Sequence, residues 1–194
     1  MSAHPPVAVG IVGASGFTGA ELLRLIAGHP TFEVRVATGD TQAGTRVAEL
    51  YPSLAGAYPD LVFAPYAPEL LDGLDLVFCG LPHGTSQALM PELRSRVGHV
   101  VDLAADFRLA DASLYDVWYG EPHTAPALLP DFAYGLPELF RDSIKGSQAI
   151  ATPGCYPTAA ALALAPLAAS TMIPSVWISP PAASGASARA AAVG

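Results

Sequence analysis

The stretch Gly10-Ile-Val-Gly-Ala-Ser-Gly-Phe-Thr-Gly19 constrains this chain more than any other. It grows out of the apolar run Val7 to Val12 and opens a segment of helical period, Thr18 to Ala27, whose Leu22, Leu23 and Ile26 share one stripe. A run that is apolar on both faces is a strand buried from both sides, and such strands belong to parallel sheets covered by helices. Gly13 permits the tight turn, Gly16 lets a backbone approach a pyrophosphate, and the open amides at the helix start face negative charge. Ser15 and Thr18 add hydroxyls, and Phe17 and Gly19 complete the corner. The spacing is Gly-x-x-Gly-x-x-Gly where dinucleotide folds usually carry Gly-x-Gly-x-x-Gly, so a strand-helix turn that needs glycine for sterics alone is the rival reading.

Beyond this corner, short apolar runs alternate with helical periods, the signature of βαβ units. Gly28-His29-Pro30 stops the first helix, and Phe32 to Thr38, Leu61 to Ala64, Leu74 to Cys79 and Val100 to Ala104 read as the second to fifth strands. Thr85 to Val97 reads as a helix capped by Thr85 or Ser86, with Leu89 and Leu93 four apart and Pro91 kinking it. From Arg108 to Lys145 the pattern is irregular and predicts a long excursion with short helices. Gln148 to Ala151 resembles one more strand, followed by the turn Thr152-Pro-Gly-Cys-Tyr-Pro-Thr158 and a helix over Pro157 to Ala169. From about Ser170 the residues are nearly all Ala, Ser, Pro and Gly, with no period that buries a face, so this tail is expected to be loose unless another chain covers it.

The second glycine corner presents a thiol. Cys155 follows Pro153-Gly154 and precedes a helix, so its sulfur is expected at a helix N-terminus, where the dipole favours a thiolate able to hold an acyl group as a thioester. An inert buried cysteine is the alternative, and Cys79, inside Leu76-Val-Phe-Cys79, takes that alternative more readily. Asp40, near the end of the second strand, is placed either to bind the ribose 2′-hydroxyl of NAD or to serve as a turn residue. Arg35, Arg46, Thr38 and Thr41 could instead meet a 2′-phosphate, so the residues alone leave NAD and NADP open. Leu81-Pro82-His83-Gly84 ends a strand at the sheet's carboxyl edge, where His83 either lines the cofactor cleft or satisfies a turn. His4, His29, His99 and His123 have no spacing that indicates a metal or a base and are expected mostly at the surface.

Composition closes off other classes. A formal charge of -8 argues against an electrostatic grip on nucleic acid or an anionic membrane. With 52% hydrophobic and 13% charged residues the chain reads as globular. Two cysteines form neither a disulfide framework nor a zinc site, which predicts a reducing compartment and no metal. No Lys or Arg precedes Val7, so the start lacks a secretory signal's charge, and Ala159 to Ala169 is shorter than the roughly 20 residues of a bilayer span. A cytoplasmic location is expected.

The chain resembles the N-acetyl-gamma-glutamyl-phosphate reductase family. The matching stretches are residues 13 to 19, Leu-Pro-His-Gly at 81 to 84, Asp-Leu-Ala-Ala-Asp-Phe-Arg at 102 to 108, Tyr-Gly-Leu-Pro-Glu at 134 to 138 and Pro-Gly-Cys-Tyr-Pro-Thr at 153 to 158. The resemblance implies NADPH-dependent reduction of N-acetyl-glutamyl 5-phosphate to the semialdehyde with release of phosphate, in arginine biosynthesis. It implies Cys155 as the nucleophile and cofactor contacts from Gly13, Ser15, Gly16, Phe17, Thr18, Gly19, Pro82 and His83; Arg108 is the candidate clamp for the substrate carboxylate, with a structural ion pair as the alternative. Members continue into an α+β domain that supplies a general-base histidine and an oligomer interface, and Ser184-Gly-Ala-Ser-Ala-Arg-Ala-Ala191 only faintly echoes their Ser-Gly-x-Ser-Gly-Ala-Gly-Arg element.

The expected architecture is therefore α/β: a Rossmann-like, doubly wound, mostly parallel sheet over residues 1 to 150 that binds NADP, then the start of an α+β catalytic domain over 151 to 194. The end from about Ser170 is expected to be disrupted, for instance by an altered reading frame. The partner is a small-molecule substrate, with a homo-oligomer left open. A related aspartate-semialdehyde dehydrogenase and an inactive NADP-binding remnant are the rival readings.

Overall fold

A computed structural model describes residues 5–169. The expectations for His4 and for the tail from Ser170 lie outside them. The described residues form two compact units, one of residues 5–82 and 89–101, the other of 83–88 and 102–169.

The first unit is built on the run that opened the sequence. β1 (Val7–Val12) lies parallel to β2 (Phe32–Ala37) on one side and β3 (Leu76–Cys79) on the other, with β4 (His99–Asp102) next to β3. Val9, Ile11 and Val12 are at most 1% exposed, as a strand sandwiched between helical layers requires. α1 (Phe17–Ala27) buries Leu23 and Ile26 against this sheet and ends at Gly28. α2 (Val47–Leu50) is a single turn whose Val47 joins the same core. α3 (Thr85–Arg96) runs on through Pro91 and buries Met90 and Leu93.

Leu61 to Ala64 is not a strand. Ala64 bridges Thr38 in parallel and Val62 bridges Arg46 antiparallel, each in isolation, and Pro65 follows with no amide to extend a ladder. Phe63 is buried all the same, so the apolar pattern reports a core contact and not a sheet member.

In the second unit, β6 (Ala149–Ala151) pairs in parallel with β5 (Phe132–Tyr134), a strand the irregular stretch concealed. The short helices α4 (Ser113–Tyr119) and α5 (Pro137–Lys145) fill the rest of the excursion, and α6 (Cys155–Ala169) follows β6. Gly135 follows β5 and donates its amide to the Ala151 carbonyl at 2.8 Å, and a Cβ there would stand 2.8 Å from Ile150 Cγ2. The α/β, Rossmann-like character expected from the sequence is the architecture observed.

Candidate functional site

One candidate site, in the first unit, is the β1–α1 corner. Gly13 has φ of +83°, and a Cβ on it would meet the Gly80 carbonyl at 2.5 Å, so the chain can turn here only as glycine. A Cβ on Gly19 would overlap the backbone of Ala14, which is how α1 packs tightly against the strand it follows. Gly16 is different: its nearest neighbour would be 3.8 Å away, and it is the N-cap of α1.

Thr38, at the end of β2, holds the corner in place. Its Oγ1 accepts the Gly13 amide at 3.2 Å, its carbonyl accepts the Ala14 amide at 2.6 Å and its own amide donates to Ile11 at 2.9 Å. No side chain caps α1, whose i to i−4 ladder begins with Ala20 donating to Gly16 at 2.9 Å. The amides of Phe17, Thr18 and Gly19 therefore have no partner within the helix and open at its positive end. Phe17 is 95% exposed and Thr18 is exposed beside it. A glycine cradle with an uncapped helix start fits a dinucleotide pyrophosphate.

Around this corner the charged candidates have other partners. Asp40 accepts the Tyr66 amide at 2.9 Å. Arg35 pairs with Glu33 and Arg46 with Glu49, all exposed. Ser15 lies under Gly39, whose Cβ would be 2.7 Å from the Ser15 hydroxyl, and its carbonyl accepts the Tyr51 hydroxyl at 2.7 Å.

A separate candidate site, in the second unit, is the β6–α6 turn. Cys155 is exposed and is the first residue of α6. Thr152 is fixed from one side by Asp102, whose carbonyl accepts both its amide at 2.8 Å and its hydroxyl at 3.1 Å. Arg108 reaches it from the other, its Nε donating to the Thr152 carbonyl at 2.8 Å. Thr158 closes the first helical turn by donating its amide and its hydroxyl to Gly154 at 3.0 and 2.8 Å.

The same unit carries a buried acidic pair that sequence reading missed. Asp106 caps α3 from a distance: Oδ1 accepts the Gly84 amide at 2.9 Å and Oδ2 the Gln87 amide at 3.0 Å. The expected cap, Ser86, instead donates its hydroxyl to Asp102 at 2.7 Å. His83 sets Nδ1 at ion-pair distance from Asp106 and Nε2 3.3 Å from Glu121, neither nitrogen making a hydrogen bond, and its ring packs at a tilt against Tyr119. His123 is not at the surface: it is 8% exposed, its Nε2 lies 2.7 Å from the Asp106 carbonyl, and its Nδ1 accepts the Ala125 amide. Burial holds its imidazole below the usual histidine range, only partly offset by Asp106.

The family model for the semialdehyde dehydrogenase NAD-binding domain matches residues 8–147. The chain belongs to this family. Curated relatives include N-acetyl-gamma-glutamyl-phosphate reductases of Ectopseudomonas mendocina strain ymp and Pseudomonas aeruginosa strain PAO1, each 52% identical over 161 residues, which is 83% of this chain and 47% of theirs. The chain thus spans about half the length of the curated relatives it matches. Among solved structures, an aspartate semialdehyde dehydrogenase from Candida albicans with NADP aligns at a TM-score of 0.61 and 18% identity, over 87% of this chain and 48% of that one, which establishes a shared fold.

The structure gathers Gly13 to Gly19, within the matched domain, into one corner, and in the second unit it sets Arg108 against the Cys155 turn. Asp40 is exposed and accepts the Tyr66 amide on Oδ1. Asp102, Asp106 and Gln87 were silent in the sequence because their partners lie 16 to 37 residues away, as in Ser86 to Asp102 and Thr124 to Gln87. The one available signal was the run Asp-Leu-Ala-Ala-Asp at the end of a strand, where two acids sit in an apolar context. Among the described residues no group of His, Cys, Asp and Glu could hold a metal ion, and no helix is long and apolar enough to cross a membrane.

Proposed function

We propose that this chain carries the cofactor and nucleophile segments of an NADP-dependent acyl-phosphate reductase that converts N-acetyl-glutamyl 5-phosphate to N-acetyl-glutamate 5-semialdehyde, an oxidoreductase of cytoplasmic arginine biosynthesis. The 52% identity over 161 residues to reductases of that name carries the reading. The division into an NADP-binding region over 1 to 150 and the start of a catalytic region over 151 to 194 belongs to the same proposal.

Gly13, Ser15, Gly16, Phe17, Thr18 and Gly19 would hold the dinucleotide, with Pro82 and His83 assigned to it by the family likeness. NADP is preferred to NAD because the reductase family that the chain resembles uses it and the neighbour solved with NADP shares this fold. When bound, the reduced dinucleotide supplies the hydride that takes the acyl group to the aldehyde level. Cys155 supplies the covalent step: its thiolate sulfur attacks the acyl carbon, the bond from that carbon to the phosphate oxygen breaks, and inorganic phosphate leaves with the electron pair. Exposure at the start of α6 gives the sulfur access to a small substrate.

The test is to mix the chain with the acyl phosphate in the absence of dinucleotide and weigh it after acid quench. The proposal expects one N-acetylglutamyl group on the Cys155 peptide and none in Cys155→Ser. An unmodified Cys155 alongside retained NADP binding would favour a cofactor-binding remnant. Acylation by aspartyl phosphate in preference would favour an aspartate-semialdehyde dehydrogenase.

A further inference from the structure

We infer that Arg108 is the positioning residue of the cysteine turn. The inference rests on the reading of Cys155 as nucleophile and deepens it by naming the group that fixes where the thiol stands.

Two of the three Arg108 guanidinium nitrogens donate to carbonyls of the turn and of the strand end beside it. Nε donates to the Thr152 carbonyl at 2.8 Å and Nη2 to the Leu103 carbonyl at 3.0 Å. Nη1 lies against Gly154, where a Cβ would stand 3.1 Å from it and 3.5 Å from Pro157 Cδ. A side chain at Gly154 would crowd the guanidinium, which would have to give by a few tenths of an ångström. A guanidinium suits this position because its rigid fork bridges two carbonyls that a single ammonium could not span.

The consequence is a turn with almost no freedom. Only Thr152, Pro153 and Gly154 separate β6 from Cys155. The Thr152 amide, hydroxyl and carbonyl are all engaged, the first two by Asp102 and the last by Arg108. Pro153 has a fixed φ. Gly154 is pressed on Arg108 and accepts both Thr158 bonds. Removing the guanidinium frees the Thr152 carbonyl and opens space under Gly154, so the first turn of α6 loses its footing while the rest of the chain keeps its core.

Amide hydrogen exchange tests this without substrate or cofactor. In Arg108→Met the Thr158 amide, which donates to Gly154, is expected to exchange about tenfold faster, with Val9 and Ile11 in β1 protected as in the parent. Millimolar ethylguanidinium should restore the Thr158 rate. Parent-like Thr158 exchange in a folded variant overturns the inference, as does equal acceleration at Thr158 and in β1. If Arg108→Met does not fold, Arg108→Lys decides: Thr158 exchange about threefold faster or more is expected, because one ammonium reaches one carbonyl, and an unchanged rate overturns the inference. Failure of Cys155 to be acylated would sink the nucleophile reading and leave this exchange result untouched, so the two failures are distinguishable.

Discussion

Ser86 donates its hydroxyl to Oδ1 of Asp102 at 2.7 Å, with both residues fully buried. Oδ2 of the same carboxyl is buried without a partner. Burial pushes the Asp102 carboxyl up to about 6, against the opposing hydrogen bonds from Ser86 and the Ala104 amide, with Asp106 adding to the rise and Arg108 opposing it. Asp102 thus binds its proton more tightly folded than unfolded. The sign follows: its contribution to stability is complete below the unfolded value near 4 and is lost as pH rises through about 6. A difference of about two pH units corresponds to roughly 3 kcal/mol. Asp102→Asn should remove that slope, so urea unfolding of parent and variant between pH 4 and 7 should show the parent losing stability relative to the variant as pH rises. Parallel curves would contradict the account.

Asp106 is the cap of α3 although it lies far outside it. Asp106→Ala leaves the Gly84 and Gln87 amides without acceptors and is expected to cost about 2 to 4 kcal/mol in urea unfolding. Asp106→Asn keeps one acceptor oxygen and should cost about half as much.

The glycines of the first corner differ in what they tolerate. Gly13→Ala forces a side chain into the left-handed region and onto the Gly80 carbonyl, with an expected loss of about 2 to 3 kcal/mol or more. Gly16→Ala meets only ordinary contact and should cost under about 1 kcal/mol. If the corner binds a dinucleotide, Gly16→Ala should still weaken NADP binding, since the added methyl stands where a pyrophosphate approaches; titration by tryptophan or nicotinamide fluorescence reads this.

Thr38→Val keeps the shape of a β-branched residue and deletes the acceptor for the Gly13 amide. A destabilisation of about 1 to 3 kcal/mol is expected from the orphaned amide, and Thr38→Ser should recover most of it. Thermal melts of the three proteins separate lost hydrogen bonding from lost packing.

What could be read in the sequence was local. β1 and α1 were visible because one apolar run and one helical stripe meet at a glycine corner within a single stretch, and both stand at nearly the expected residues. The turn at Cys155 was visible for the same reason. β5 was hidden: three residues of partial burial, Phe132 to Tyr134, gain strand geometry only by pairing with β6, which lies beyond α5. Leu61 to Ala64 misled in the opposite direction, since burial of Phe63 satisfies the apolar pattern without a ladder. The buried acids and His123 were illegible because their meaning lies in partners contributed by distant segments: nothing near Asp106 shows that it caps α3, and nothing near His123 shows that it packs against Phe107 and Tyr115.

The most direct test of the central claim is the reverse reaction. The chain, beside its Cys155→Ser variant, is given N-acetyl-glutamate semialdehyde, phosphate and NADP, and NADPH formation is followed by absorbance. The account expects NADPH from the parent and none from the variant. Equal NADPH formation by both proteins, or none from a parent that binds NADP, would contradict the assignment of thioester catalysis to this chain.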